Sequence, residues 1–161
     1  MAAILALDLG TQMGWALAAE SMPIVSGSVS FKPNKFEGAG FRYIRFVSWL
    51  DTIIQQNPAI SSIYFEAVRR HLGVDAAHIY GGFMSHLLAW SEKRGIPING
   101  VPVGTIKKSA TGKGNADKIM MISSAKNLGF DPIDDNEADA IHLLNYAIKT
   151  YGFNHGGSCV S

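Results

Sequence analysis

The sequence has one cysteine, no long hydrophobic run and no basic leader, and these absences exclude several classes of protein. Cys159, near the end of the chain, has no second cysteine to pair with and no Cys or His partner set for zinc beside it. A membrane-spanning helix needs about eighteen consecutive apolar residues, and no such run is present. We therefore expect a soluble, cytoplasmic protein in which Cys159 is a free thiol.

The length and composition predict a single domain. The chain has 161 residues, of which 47% are hydrophobic. That is enough for one sizeable core and too little for two. No internal repeat, linker or low-complexity segment divides the chain. We expect the domain to occupy residues 1–152, with residues 153–161 as a C-terminal tail.

Basic residues are absent from the first 31 positions and concentrated in the middle of the chain. Residues 1–31 carry a net charge of −2, residues 32–118 carry +6 and residues 119–161 carry −3. Phosphates bind lysine and arginine, whereas divalent cations bind clustered carboxylates. The distribution favours a polyanion-binding protein with an acidic metal site, although an ordinary solvated surface can produce it too.

Hydrophobic periodicity predicts a mixed α/β sheet flanked by helices. The predicted strands are 4–7, 13–20, 24–31, 59–70 and 96–103. The predicted helices are 41–57, 74–93, 115–129 with Asn115 as the N-cap, and 136–150. Residues 104–114 are expected to be a basic, glycine-rich loop. The first three strands form an antiparallel meander, and crossovers add the later ones.

Three of these elements each direct one acid toward an apolar surface. Asp8 ends the run Ile4–Leu7, Glu66 ends the next buried strand, and Asp139 lies on the helix face that carries Leu143. An ionised carboxylate there is costly unless a positive group meets it. Asp8 could simply cap its turn, and the acids before Asp139 could serve the helix N-terminus. If instead the three acids meet at one place, their carboxylate oxygens are suitable ligands for Mg²⁺ or Mn²⁺.

The same stretches resemble the RuvC family of Holliday junction resolvases, of the small phage or viral kind. The resemblance rests on "ILALDLGTQMGWAL", "SIYFEAVRRHLG", "TGKGNADK" and "DDNEADAIHLL", in family order along nearly the whole chain. It implies a ribonuclease H-like fold with a mixed five-stranded sheet, a homodimer, two Mg²⁺ or Mn²⁺ ions per active site and paired nicking of four-way DNA. By the same resemblance Asp8, Glu66 and Asp139 are the catalytic, metal-binding acids.

The sequence departs from that family at the fourth ligand. The family carries a further metal-binding side chain three residues before the last aspartate, and Asn136 stands there. Either the Asn136 amide oxygen serves as a ligand, or Asp135 or Glu137 supplies the missing acid. Helical spacing puts Asp135 and Asn136 on the face of Asp139 and points Glu137 away.

Two basic stretches are candidates for DNA contact. The stretch "KKSATGKGNADK" supplies Lys107, Lys108, Lys113 and Lys118, and its glycines allow backbone N–H groups to approach phosphates. These lysines could instead only keep a loop soluble. The second stretch follows Glu66, where the family has an aromatic wedge and this chain has groups that can also stack on bases: Arg69, Arg70 and His71.

Other functions and one surface remain open at the level of sequence. "LDLGT" is similar to a phosphate motif of actin-like ATPases, but those proteins need two such domains, so no nucleotide cofactor is expected. A related nuclease acting on RNA or other branched DNA, such as the YqgF type, and a non-catalytic junction-binding dimer are the alternatives. The predicted helix 74–93 is rich in apolar residues, which either form a dimer interface or are buried within the monomer: Tyr80, Phe83, Met84, Leu87 and Trp90.

Overall fold

The protein, described as a computed structural model over residues 1–71 and 73–153, forms one mixed sheet with helices on both faces. The strands are Ala3–Asp8 (β1), Gln12–Ala19 (β2), Val25–Ser30 (β3), Ile60–Ala67 (β4) and Ile98–Pro102 (β5). The helices are Phe41–Gln56 (α1), Val74–Arg94 (α2), Val103–Thr111 (α3), Lys118–Asn127 (α4) and Asp135–Tyr151 (α5). Residues 154–161, including Cys159, lie outside the described part, so the tail and its thiol stay predictions.

The sheet has the order β3-β2-β1-β4-β5, with β1 at its centre. The strand β1 pairs antiparallel with β2 and parallel with β4, and β5 extends the sheet in parallel with β4. The expected meander followed by crossover strands is therefore confirmed. Because β1, β4 and β5 run in the same direction, their carboxyl ends meet at one edge of the sheet. We call this edge the carboxyl edge.

The central strand is apolar on both faces because both faces are covered. Leu5 and Leu7 belong to the core under α1 and α2, together with Phe83 of α2. Ile4 and Ala6 belong to the opposite core, which α3, α4 and α5 cover. Each fully buried leucine or phenylalanine contributes about 1.5–3 kcal/mol relative to exposure. A strand buried on both faces has no polar alternation, which is why β1 is a continuous apolar run.

The expected glycine-rich loop at 104–114 is wrong in its first part, because residues Val103–Thr111 form the helix α3. Ile106 is buried against the sheet and anchors this helix. Gly112, with φ of +80°, ends it in the left-handed conformation that favours glycine. Gly104 and β-branched neighbours give the segment weak intrinsic helix propensity, so tertiary packing decides its structure. Lys107 and Lys108 therefore lie on a helix.

The start of α4 also differs from the prediction by two residues. The N-cap is Asp117, whose carboxylate accepts a hydrogen bond from the Met120 backbone N–H at 2.8 Å, and not Asn115. An aspartate at this position satisfies a free N–H group and carries a charge that the helix dipole favours. At the other end of the helix, Gly129, with φ of +94°, directly follows the C-cap Leu128.

The apolar residues of α2 form the core of the monomer. Tyr80, Phe83, Leu87 and Trp90 are buried under the sheet, and Met84 is half-buried beside them. Burial within the monomer is thus confirmed for Tyr80, Phe83, Leu87 and Trp90, so these four side chains are not available for a dimer interface. None of the helices among the described residues is long and apolar enough to cross a membrane.

Candidate active site

Three acids from distant parts of the chain meet at the carboxyl edge. Asp8 is the last residue of β1, and Glu66 lies one residue before the end of the neighbouring parallel strand β4. Asp139 is the fifth residue of α5, which packs across β1 and β2. One carboxylate oxygen from each of the three lies within 4.8 Å of the other two. The structure therefore brings together the acids that the sequence singled out.

The cluster holds more negative charge than its surroundings compensate. Burial and then the nearby Glu66 carboxylate raise the pKa of Asp8 well above its ordinary value. Burial, Glu66 and Asp135 raise the pKa of Asp139 to about 7. One oxygen of Asp139, Oδ1, is buried and has no hydrogen-bond partner within the described protein. Buried carboxylate oxygens normally have such partners, so Asp139 Oδ1 is free to bind a group from outside the described protein.

A divalent cation fits this arrangement. Like charges this close raise each other's pKa unless a cation neutralises them. Carboxylate oxygens are the ligands that Mg²⁺ and Mn²⁺ prefer, and within residues 1–71 and 73–153 no thiol or imidazole takes part in the cluster. The partnerless Oδ1 of Asp139 is an available ligand atom. Asp8, Glu66 and Asp139 are therefore a chemically suitable metal site.

A glycine in β2 allows α5 to reach the sheet closely enough to place Asp139. A Cβ atom added to Gly14 would lie 1.8 Å from the backbone oxygen of Asn136. Gly14 pairs with Asp8 across the sheet, so the start of α5 rests directly beside the end of β1. The sequence analysis missed this contact. The sequence feature that indicates this contact is a glycine in the interior of a buried strand, because such a glycine often marks a close approach of another backbone.

Two further acids at the start of α5 hold the helix against the edge strand β3. Asp134 is the N-cap: its carboxylate accepts from the Glu137 backbone N–H at 2.8 Å and from the Ser28 hydroxyl at 2.7 Å. Buried Glu137 accepts from the Ser26 hydroxyl and from the Ile133 backbone N–H, both at 2.7 Å. Since both Glu137 oxygens are engaged in this way, Glu137 is a structural residue and a poor candidate for the fourth ligand.

The remaining candidates for the fourth ligand are Asp135 and Asn136, both half-buried in the first turn of α5. Asp135 is close enough to the cluster to raise the pKa of both Asp8 and Asp139. Its carboxylate also forms an ion pair with Lys118 at 2.6 Å. Asn136 stays a predicted ligand, whereas the sequence analysis did not foresee that Asp135 would be paired with a lysine.

Two of the four lysines predicted to contact DNA, Lys107 and Lys118, lie near this cluster. Lys107 on α3 and Lys118 at the start of α4 both lower the pKa of Asp139, partly offsetting the burial. Asp135 in turn raises the pKa of Lys118 through their ion pair. Lys108 and Lys113 are exposed, the first on α3 and the second in the loop 112–117. The carboxyl edge thus combines a half-buried acidic cluster with the nearby basic side chains of Lys107 and Lys118.

Two open clefts flank the end of β4. One has a volume of about 510 Å³ and is lined by Glu66, the two exposed arginines Arg69 and Arg70, and the β5–α3 junction. The other, of about 350 Å³, is lined partly by Gly10, His71 and Tyr80. The clefts place the basic residues that follow Glu66 beside the acidic cluster.

Tyr80 positions the end of β4, a role that the sequence analysis did not foresee. Its hydroxyl donates to the Glu66 carbonyl at 2.8 Å and accepts from the Val68 backbone N–H at 3.2 Å. These bonds fix the backbone on both sides of Ala67, where the strand turns away from the sheet. The His71 ring packs 5.0 Å from the Tyr80 ring. Tyr80 thereby links the core to the residues predicted to contact DNA.

The sheet order, the helices on both faces and the three acids at the carboxyl edge define a ribonuclease H-like fold with an acidic cluster. Among solved structures this fold matches Thermus thermophilus RuvC. The RuvC complex with a Holliday junction substrate matches with a TM-score of 0.73 and 17% identity, over 89% of this chain and 91% of that one. A second Thermus thermophilus RuvC structure matches with a TM-score of 0.71 and 18% identity, over 94% of this chain and 97% of that one.

The yeast mitochondrial Holliday junction resolvase Ydc2 matches with a TM-score of 0.59 and 13% identity, over 92% of this chain and 81% of that one. No protein-family model matches the sequence, and no curated protein is significantly similar to it. The likeness is therefore one of fold, across almost the full length of the RuvC chains. The expected ribonuclease H-like, five-stranded fold is confirmed.

Proposed function

We propose that this chain is a metal-dependent endonuclease that nicks four-way DNA junctions. The observation that carries the proposal is the convergence of Asp8, Glu66 and Asp139 at the carboxyl edge of a RuvC-like fold. The solved relative in complex with a Holliday junction substrate supports the choice of DNA. Basic side chains beside a half-buried acidic cluster support a phosphate-bearing substrate.

Asp8, Glu66 and Asp139 would hold two Mg²⁺ or Mn²⁺ ions, with Asp135 or Asn136 as a further ligand. When bound, such ions activate a water molecule and stabilise the leaving oxygen of a phosphodiester. The side chains of the protein position this chemistry. Asp8 and Glu66 sit on paired strands and Asp139 on a helix fixed to the sheet, so their separations are set by the core and not by a mobile loop.

The proposed DNA contacts fall into two groups. Lys107 and Lys118, beside the acids, would bring the scissile phosphate to the cluster, and the exposed Lys108 and Lys113 would neutralise neighbouring phosphates. On the other side of Glu66, the residues that line the clefts would contact the branch point: Arg69, Arg70 and His71.

Symmetric nicking of a four-way junction requires two active sites related by a two-fold axis, so we propose a homodimer. The buried face of α2 is not available for this contact, because Phe83 and Leu87 are fully buried in the monomer. The interface must use exposed surface. Sedimentation velocity of the full chain, with and without junction DNA, measures the stoichiometry directly.

The deciding experiment is cleavage of labelled four-way, flap, linear duplex and RNA substrates in Mg²⁺ or Mn²⁺. The expected result is preferential nicking of opposing strands of the four-way junction, with no nicking by the matched D139N variant. A monomer that cuts flaps, linear DNA and junctions equally would overturn the junction assignment and leave the metal site intact. Cleavage of RNA alone would favour an RNA nuclease, and junction binding without any cleavage would favour a binding module.

A further inference from the structure

The segment between β3 and α1, residues 31–40, presents an aromatic ring to solvent. Phe36 is 86% exposed. Its neighbours Lys32 and Lys35 are exposed as well, and the Lys35 ammonium lies 4.9 Å from the Phe36 ring centroid. The segment contains two basic residues, Lys32 and Lys35, and its one acid, Glu37, is paired with Arg45 of α1. An aromatic ring among lysines is the combination that single-stranded nucleic acids bind, through base stacking and phosphate neutralisation.

Phe36 projects from a built turn. The Asn34 side-chain oxygen accepts a hydrogen bond from the Phe36 backbone N–H at 2.9 Å. The Glu37 carboxylate accepts from the Asn34 backbone N–H at 2.8 Å and from the Arg45 guanidinium at 2.7 Å. The backbone on both sides of Phe36 is therefore tied to α1. The backbone that carries the ring therefore loses little conformational freedom when the ring binds a partner.

The segment leaves the sheet at the carboxyl edge. Both β1 and β3 run antiparallel to β2, so they run in the same direction and end on the same side. Thr11, three residues after Asp8, holds the segment in place: its carbonyl accepts from the Phe31 backbone N–H at 2.8 Å and its hydroxyl from Arg42 at 3.0 Å. The exposed ring thus belongs to the same end of the molecule as the acidic cluster.

We propose that Phe36 stacks on an unpaired or unstacked base of DNA bound at the carboxyl edge, while Lys32 and Lys35 neutralise the adjoining phosphates. The proposal rests on the proposed nuclease function and names a contact that is separate from the acids and from the residues after Glu66. Charge favours DNA over a protein partner at this position, because the Lys35 ammonium lies beside the ring and Lys32, four residues before Phe36, is exposed as well.

The test compares F36A, F36W and the parent protein, all in a D139N background so that the DNA stays intact. Binding is measured at one salt concentration to a four-way junction and to linear duplex of equal length. F36A is expected to weaken junction binding by about 5- to 150-fold and duplex binding by less than about twofold, and F36W to restore the junction affinity. A 2-aminopurine beside the branch point should be quenched by the parent and F36W but not by F36A.

The matched control is M22A. Met22 is also exposed, at 62%, but it lies in the β2–β3 turn at the opposite edge of the sheet, so its loss should leave binding unchanged. Equal junction affinity for F36A and its parent would overturn the inference. It would also be overturned if F36A changed the sedimentation coefficient of the protein without changing its DNA binding, because that result indicates that Phe36 contacts protein. If the unmodified chain nicks junctions while F36A matches its parent, only this inference fails. If the unmodified chain neither binds nor nicks nucleic acid, both this inference and the proposed function fail.

Discussion

The metal-free protein should become less stable as the pH rises from about 4 to about 7, and D139N should remove much of this loss. The pKa of Asp139 is about 7 in the folded protein and ordinarily 3.8. Between these values the folded state binds more protons than the unfolded state, so the free energy of unfolding falls with pH. About three units at 1.36 kcal/mol each give an upper limit of roughly 4 kcal/mol.

Thermal unfolding in EDTA at pH 4.5, 6 and 8 measures the effect. At pH 8, D139N should unfold roughly 5–15 °C above the unmodified protein, since one kcal/mol corresponds to about 2–4 °C for a chain of this size. The variant also relieves Asp8, whose pKa Asp139 helps to raise. Adding Mg²⁺ or Mn²⁺ at pH 8 should stabilise the unmodified protein and have little effect on D139N.

The matched control for this experiment is D131N, because Asp131 is exposed in the loop before α5. Its unfolding temperature should follow that of the unmodified protein at every pH. A D139N variant that is less stable than the unmodified protein at pH 8 in EDTA would refute the reasoning. Such a result would mean that the Asp139 carboxylate is stabilised by its neighbours in the absence of metal.

Three further predictions concern the site. D8N should abolish Mg²⁺-dependent nicking but keep DNA binding in a gel-shift assay, because the loss of a carboxylate reduces the repulsion of DNA phosphates. Nicking by D8N at the normal rate would contradict the metal site. Changing Lys107, Lys108 and Lys113 to alanine should flatten the plot of log K against log salt by up to about three units, and an unchanged slope would show that they face solvent. G14A should lower the free energy of unfolding by about 1–3 kcal/mol through overlap with the Asn136 backbone, whereas G38A, with open space at its Cβ, should not.

The elements that the sequence predicted well are those with a clear period and deep burial. The stripe of α1 through Phe46, Leu50 and Ile53 is buried as its spacing predicts. The acids Asp8 and Asp139 stand out in the sequence for the same reason, since a carboxylate on an otherwise apolar surface conflicts with its surroundings. Conflict between local chemistry and burial is a signal that a single sequence contains.

The features that the sequence could not predict depend on contacts between distant segments. The helix α3 has weak propensity and forms because Ile106 packs into the core. The role of Glu137 becomes visible only once β3 brings Ser26 to it, across 111 positions of the chain. Likewise, helical spacing puts Asp135 near Asp139 but cannot show that Lys118 pairs with it.

The separation of the three acids along the chain has a consequence for biosynthesis. A nascent chain that has reached residue 134 contains Asp8 and Glu66 but not Asp139, and it also lacks the helix that covers one face of β1. Such an intermediate has an incomplete core and an incomplete ligand set at the same time. The proposed set of metal ligands is therefore complete only once α5 has been made, so a chain that ends before α5 lacks both the third acid and the helix that orders it.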